Sequence, residues 1–184
     1  MSESSNYEKY YPSKVFKYCP YCGAPGYKWD GVKAFSCSSC GHKYYVNEAA
    51  AVVALIENER HELLLTVRNR DPFKDMLDLP GGFVDLGETA EAAVKREIKE
   101  ELNLEVEELT FFGSFPNRYI FGGIVYFTLD LTFHAKVTDF SAITAADDVS
   151  SYRFIAIDEI NTDDIGLDSI KEIVKLYQQK RKQS

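Results

Sequence analysis

The stretch Leu79–Leu104, LPGGFVDLGETAEAAVKREIKEELNL, decides the reading of this chain. It opens on a Pro-Gly-Gly loop, passes through a short polar link, and then turns helical over residues 89–102. Thr89 is placed to cap the helix N-terminus, and Glu91 sits favourably in the first turn. Val94, Ile98 and Leu102 recur at helical spacing and form an apolar stripe. Glu97, Glu100 and Glu101 stand at i, i+3 and i+4, so they share the neighbouring face. Such a helix can bury one side and hold three carboxylates at the edge of the domain. Like charges at this spacing cost roughly 0.2–0.5 kcal/mol per pair. A solvated acidic face is the ordinary outcome of a charge run. Acids gathered behind a Pro-Gly-Gly loop point instead to hard oxygen ligands of the kind Mg²⁺ or Mn²⁺ requires.

Outward from this helix the chain alternates strand and helix patterns. Residues 50–57 and 61–68 read as paired strands joined by Asn58-Glu59-Arg60, and a loop follows through Asp71-Pro72 to Pro80-Gly81-Gly82. Residues 105–116 and 123–137, rich in Phe, Tyr, Val and Thr, read as long strands, and 152–157 as a further short one. Ile165, Ile170, Ile173, Val174 and Tyr177 mark a C-terminal amphipathic helix whose last turn carries Lys180, Arg181 and Lys182. Strands mixed with one central and one terminal helix predict a layered α/β sandwich.

The chain has 184 residues, 45% of them apolar and 27% charged, which suits one ordinary domain with a small appendage. Its net charge of −8 disfavours a general nucleic-acid coat, which should be basic. The longest apolar run, Ala49–Ile56, is too short to span a bilayer and suits a buried strand. Met1–Lys9 is polar and lacks the apolar core of a signal peptide, so the expected location is the cytoplasm, where disulfides are rare.

Charge is divided unevenly. Residues 1–48 carry a net +2 and hold all four Cys, whereas 49–184 carry −10. This predicts a tail over 1–14, mobile at Ser2–Asn6, a small module over 15–48 and a larger acidic domain over 49–184. Cys19-Pro20-Tyr21-Cys22-Gly23 and Cys37-Ser38-Ser39-Cys40-Gly41 repeat one pattern. Each C-x-x-C-G makes a tight turn that aims two thiolates at one point. Two such turns supply the four sulfurs of a tetrahedral structural Zn²⁺ in a zinc ribbon. A segment of ~30 residues buries too little surface to fold alone, so zinc would carry its folding energy. Phe16, Tyr18, Tyr27, Trp29, Phe35, Tyr44 and Tyr45 crowd this module as packing residues or as a stacking surface for a nucleotide or single-stranded RNA. With four Cys available, His42 reads as a surface residue.

The glutamate helix resembles the box of the Nudix hydrolase family, G-x5-E-x7-R-E-U-x-E-E-x-G-U with U a bulky aliphatic. Gly82, Glu88, Arg96, Glu97, Ile98, Glu100, Glu101 and Leu104 match it. The departure is Asn103 in place of the last Gly, and Asn is the usual substitute in a left-handed helix end. The resemblance extends over about residues 49–160, and the ribbon in front is similar to that of NADH pyrophosphatases. It implies an α/β/α sandwich with a mixed sheet, and hydrolysis of the diphosphate bond of a nucleoside diphosphate linked to another group. It also implies Mg²⁺ or Mn²⁺ on Glu97, Glu100 and Glu101 with the Gly82 carbonyl as a further ligand. Glu97 would share the role of base, and Arg96 and Glu88 would orient loop and helix through a salt bridge. Asp147 and Asp148, ahead of Tyr152-Arg153-Phe154, are candidates for the extra acid that many members take from a later loop.

Substrate choice is less legible. Gly113-Ser114-Phe115-Pro116-Asn117-Arg118-Tyr119 echoes only part of the Ser-Gln-Pro-Trp-type motif of NADH pyrophosphatases. NADH, ADP-ribose, a nucleotide sugar, a dinucleoside polyphosphate or an RNA 5′ cap would all satisfy the chemistry. Phe83, Phe115 and Tyr119 are candidates for stacking on a base, and Arg68, Arg70 and Arg118 for phosphate contacts. The expected partner is a small nucleotide diphosphate, with no membrane and no nucleic acid beyond an RNA 5′ end; a homodimer is left open. The alternative is a non-catalytic nucleotide-sensing or regulatory protein whose ribbon contacts protein or nucleic acid. The intact box and the acidic chain argue against it.

Overall fold

A computed structural model describes residues 7–183 and divides the chain into two compact units. The larger comprises Ala49–Asn117 and Thr128–Ser184, the smaller Met1–Glu48 with Arg118–Phe127. The expected mobile segment Ser2–Asn6 lies outside the described residues.

The larger unit holds β4 (Ala49–Leu55), β5 (Glu62–Arg68), β6 (Leu77–Asp78), β7 (Gly81–Phe83), β10 (Val149–Ala156), helix α2 (Ala90–Leu102) and helix α3 (Asp168–Arg181). To these it adds most of the long hairpin β8 (Glu108–Phe121) and β9 (Ile124–Lys136). The strands order as β7-β4-β9-β8 and β10-β5-β6. β4 runs parallel to β9 and antiparallel to β7, so the sheet is mixed.

From Val52 to Leu55 β4 is covered on both faces, which explains its unbroken apolar sequence there. Val53 and Leu55 join one core with Leu63, Leu65, Phe115 and the α3 residues Ile170, Ile173, Val174 and Tyr177. Val52 and Ala54, with Ile56 beyond the strand end, join the other with Leu64, Phe133 and the α2 residues Ala93, Val94, Ile98 and Leu102. The helices thus lie on opposite faces and complete the α/β/α sandwich. Val94, Ile98 and Leu102 are fully buried. Each contributes roughly 1.5–3 kcal/mol by burial, which outweighs the carboxylate repulsion on the same helix.

Three differences from the sequence reading have physical causes. β6 and β7 lie within the segment read as loop, because two or three residues show no period and glycines carry no side-chain pattern. β8 continues through Pro116, which an edge strand tolerates because one of its sides needs no ladder donor. Ile165 precedes α3 and pairs with Leu77 in a parallel bridge rather than joining the helical stripe.

In the smaller unit Glu8–Tyr10 is one 3₁₀ turn and Pro12–Val15 forms the short helix α1, both overlapping the segment 1–14 expected as a tail. A three-stranded sheet follows, β1 (Tyr27–Trp29), β2 (Ala34–Cys37) and β3 (Lys43–Tyr45), in the order β1-β2-β3. Its core is Phe35 with Tyr27 stacked on it at 5.0 Å, and Trp29 and Phe16 tilted against it at 4.9 and 5.5 Å. Tyr18, Tyr44 and Tyr45 face solvent. The tip of the β8–β9 hairpin belongs to this unit, a long-range association that cysteine spacing and charge do not encode.

Candidate functional site

Two constellations carry chemistry. In the smaller unit Cys19, Cys22, Cys37 and Cys40 bring their sulfurs within 4.8 Å of one another. All four are free thiols. The Cys19–Cys40 and Cys22–Cys37 separations are 3.8 and 3.7 Å. A tetrahedron with metal–sulfur bonds of about 2.3 Å has edges near 3.8 Å, so the set fits zinc. Both knuckles are built alike. The Gly23 N–H donates to the Cys19 carbonyl and the Gly41 N–H to the Cys37 carbonyl, each glycine at a positive φ. The Cys40 backbone N–H lowers the Cys37 thiol, while burial and the neighbouring sulfurs raise Cys40, so the cluster gives up its first proton readily and the rest only to a metal. His42 stacks on Tyr21 at 5.4 Å and lies outside the sulfur set.

The second constellation is α2 laid against β7. Thr89 caps the helix by accepting from the Ala92 N–H, and Asn103 ends it in the left-handed conformation at φ 54°. The Pro-Gly-Gly sequence is required by two close approaches. A Cβ on Gly81 would stand 2.0 Å from the Val52 carbonyl oxygen. A Cβ on Gly82 would stand 2.5 Å from the Glu97 carboxylate. Gly81 thus lets β7 close on β4 while its N–H donates to Glu101 at 3.0 Å, and Gly82 lets the Glu97 carboxylate rest on bare backbone.

Arg96 organises the remaining acids. Its Nε and Nη2 donate to the two oxygens of Glu88 at 3.0 and 2.9 Å. Its Nη1 donates to Glu97 at 2.8 Å and to Glu100 at 3.0 Å, and Nη2 also reaches the Phe83 carbonyl. One guanidinium thus joins the helix to the loop before it through Glu88 and bridges two of the three acids on the helix face, Glu97 and Glu100. Glu88 is held below its usual range by Arg96 and by the Asp85 N–H. Glu101 behaves oppositely. Burial, at 5% exposure, raises it to about 8 against the help of the Gly81 N–H, and Glu97, Asp78 and Asp147 push it further. Burial also raises Glu97. Among the described residues the glutamate oxygens do not draw as close together as the four thiols do. The donor set is nonetheless hard oxygen, crowded and short of positive charge at Glu101, which is the condition a divalent cation relieves.

The later loop resolves into two different acids. Asp148 pairs with Arg70. Asp147, at a left-handed φ of 52°, lends its negative charge to Glu97 and Glu101. The other candidates separate. Phe83 is 45% exposed on β7. Phe115 is 6% exposed and its ring is spent on the α3-side core beside Phe112. Arg68 is committed to Asp78 at 2.5 Å and to the Pro72 carbonyl at 2.8 Å. Tyr119 and Arg118 belong to the smaller unit, Tyr119 stacked on Tyr126 and Arg118 over the Tyr7 ring. Sequence reasoning missed Asp78, buried two residues before Pro80. Its signal was a lone acid between two leucines, Leu77-Asp78-Leu79.

A family model described as NUDIX domain matches residues 47–176. The NAD-capped RNA hydrolase NudC of Salmonella agona is 38% identical over 101 residues, covering 54% of this chain and 38% of that protein. The match thus spans well under half the length of this relative. A NUDIX hydrolase from Nitrosomonas europaea shares the fold with a TM-score of 0.69 at 24% identity, over 92% of this chain and 94% of that one. The NUDIX domain of Shewanella oneidensis NrtR, complexed with ADP ribose, shares it with a TM-score of 0.58 at 17% identity, over 75% of this chain and 90% of that one.

Proposed function

The chain belongs to the NUDIX domain family, and on that premise we propose that it is a pyrophosphohydrolase that cleaves the diphosphate of a nucleoside diphosphate linked to a second group. The observation that carries this reading is the seating of Glu97 and Glu101 on the bare backbone of Gly82 and Gly81. A purely structural acidic face would have no need to bury Glu101 or to keep a side chain off Gly82, where it would meet the Glu97 carboxylate. Nicotinamide dinucleotides come first among substrates, free or at an RNA 5′ end, because a curated relative is named as an NAD-capped RNA hydrolase. ADP-ribose comes second, because a structural neighbour is described in complex with it.

In the reaction water attacks one phosphorus, the bridging P–O bond breaks, and a nucleoside monophosphate leaves. Glu97, Glu100 and Glu101, with the Gly82 carbonyl, would hold Mg²⁺ or Mn²⁺. When bound, such a cation supplies neutralisation of phosphoryl charge and a more acidic water. The chain's own groups do the rest. Arg96, pinned by Glu88, fixes the orientation of Glu97 and Glu100. Asp147 and Glu97 are the acids we assign to taking the proton from water. Phe83, exposed beside Gly82, is the candidate base-stacking surface. The four thiols would hold structural zinc, and with all four positions filled by protein that ion has no open site for chemistry.

The test is a panel of NADH, NAD⁺, ADP-ribose and nucleotide sugars with Mg²⁺ or Mn²⁺, scored for release of monophosphates. Turnover of at least one supports the proposal. Tight binding of ADP-ribose without turnover would favour the sensing alternative.

A further inference from the structure

Three consecutive residues at the C-terminal end of α2 hold the loop that precedes β10. The Glu101 carbonyl accepts from the Ala146 N–H at 2.9 Å, and the Leu102 carbonyl accepts from the Thr144 N–H at 3.1 Å. The third tie is a side chain. Asn103 donates from Nδ2 to the Ala142 carbonyl at 3.0 Å. The first two ties satisfy helix-end carbonyls that would otherwise lack partners. The third does not, because the Asn103 backbone N–H already closes the helix on the Lys99 carbonyl. A glycine at this position, as in the box that the sequence resembles, would make the same left-handed cap and leave Ala142 untethered.

The far end of the same loop is also fixed. The Val149 N–H donates to the Ala146 carbonyl and closes a tight turn around Asp147 and Asp148. The Asn69 N–H donates to the Asp148 carbonyl at 2.8 Å, and the Asp148 carboxylate pairs with Arg70. The Ala146 tie sets Asp147 one residue from a contact with the Glu101 backbone, while Asp148 is engaged by Arg70. The left-handed backbone of Asp147 is one that Asp tolerates but does not prefer, so the anchors on both sides have to hold it.

We propose that Asn103 is a positioning residue: through its tether to Ala142 it holds the Ala142–Asp148 loop so that Asp147 stands against Glu97 and Glu101. The proposal rests on the reading of these acids as the hydrolytic centre. Asn103 is exposed, and its side chain bonds to Ala142 and not to these acids, so the proposed effect runs through the loop to Asp147. Its substitution should act on the placement of one charge and not on the binding of the base or the fold.

The decisive experiment is a double-mutant cycle between Asn103→Gly and Asp147→Asn. Glycine keeps the left-handed helix end, so loss of the cap does not confuse the result. Two readouts are taken on the full chain: kcat and KM on the substrate found in the panel, and Mn²⁺ affinity from the free-ion electron paramagnetic resonance signal. Asn103→Gly should lower kcat roughly ten- to a hundredfold with KM nearly unchanged, as misplacement of a catalytic group does, and should weaken Mn²⁺. In the Asp147→Asn background the same change should have almost no further effect on either readout, because the group it positions is gone. Effects that multiply in the double variant, or an Asn103→Gly protein with normal kcat and Mn²⁺ affinity, would overturn the proposal. If the Mn²⁺ cycle is non-additive while no diphosphate is hydrolysed, the positioning role stands and the assigned reaction fails. If turnover is found but its cycle multiplies, the reaction stands and the positioning role fails.

Discussion

The Gly81 N–H donates to the Glu101 carboxylate at 3.0 Å, a hydrogen bond that ties the Pro-Gly-Gly strand to the acidic helix across 20 residues of sequence. It is a small compensation for a carboxylate that is 5% exposed. A net benefit of ~1–3 kcal/mol for a charged hydrogen bond does not cancel the cost of desolvating the ion, so the acid sits at about 8. The molecule carries a local penalty that a cation would remove.

The first prediction follows from the sign of that shift. Glu101 holds its proton in the folded chain to about pH 8 but releases it near 4.5 when unfolded. In chelator its favourable contribution is full below pH 4.5 and is lost as pH rises toward 8. Glu101→Gln keeps the acceptor for Gly81 and has no proton to lose. Its Tm in chelator should therefore climb relative to the parent between pH 5 and 8, by about 2–4 °C per kcal/mol relieved. A difference that is flat or falls with pH would contradict the burial argument.

The two loop glycines should fail differently on substitution. Gly81→Ala drives a Cβ into the rigid Val52 carbonyl, at a φ of +151°, and should destabilise the fold by about 3 kcal/mol or more. Gly82→Ala meets only the end of the Glu97 side chain, which can swing away. That variant should melt within a few degrees of the parent yet lose turnover about a hundredfold. Thermal melts paired with initial rates separate the two, and equal melting temperatures for both variants would be a contradiction.

Glu88 should report on architecture more than on chemistry. Glu88→Gln keeps one hydrogen bond to Arg96 but loses the charge that fixes the guanidinium, and should lower stability. Urea unfolding should show that loss, with a smaller fall in turnover than Glu97→Gln or Glu101→Gln causes. A larger fall would reassign Glu88 to the reacting centre.

The four thiols should hold one zinc per chain in protein purified without added metal, measured by elemental analysis. Mild chelation that strips a carboxylate-bound cation should leave this zinc in place, since four thiolates hold it far more tightly. Cys37→Ser should lose the zinc and the order of the ribbon, while the far-ultraviolet signal of the larger unit persists. Metal-free parent protein would end the assignment.

The elements legible in the sequence were those with period or punctuation. The α2 stripe, its Thr89 cap and the doubled cysteine knuckle all announce themselves within a dozen residues. From Val52 to Leu55 β4 read correctly as buried because apolar cover on both faces leaves no alternation to misread. The strands β6 and β7 were opaque because they are too short for a pattern, and β7 matters for its absent side chains. The commitment of Arg68 to Asp78 depends on the pairing of β5 with β6, and the burial of Phe115 on packing against α3. No local spacing encodes such contacts, so side chains that looked available for substrate are spent on the fold. Asn103 was legible as a helix end; its tether to Ala142 spans 39 residues and was not.

The most direct test of the hydrolytic centre is monophosphate release from NADH and ADP-ribose by the parent and by Glu101→Gln, with saturating Mg²⁺ or Mn²⁺, and again after chelation. The parent should turn over at least one substrate, stop in chelator and recover when the cation is restored. Glu101→Gln should fold normally and lose about 10²-fold or more in rate, as removal of a charge-stabilising group at a reacting phosphate does. Near-normal turnover by a folded Glu101→Gln protein would contradict the account.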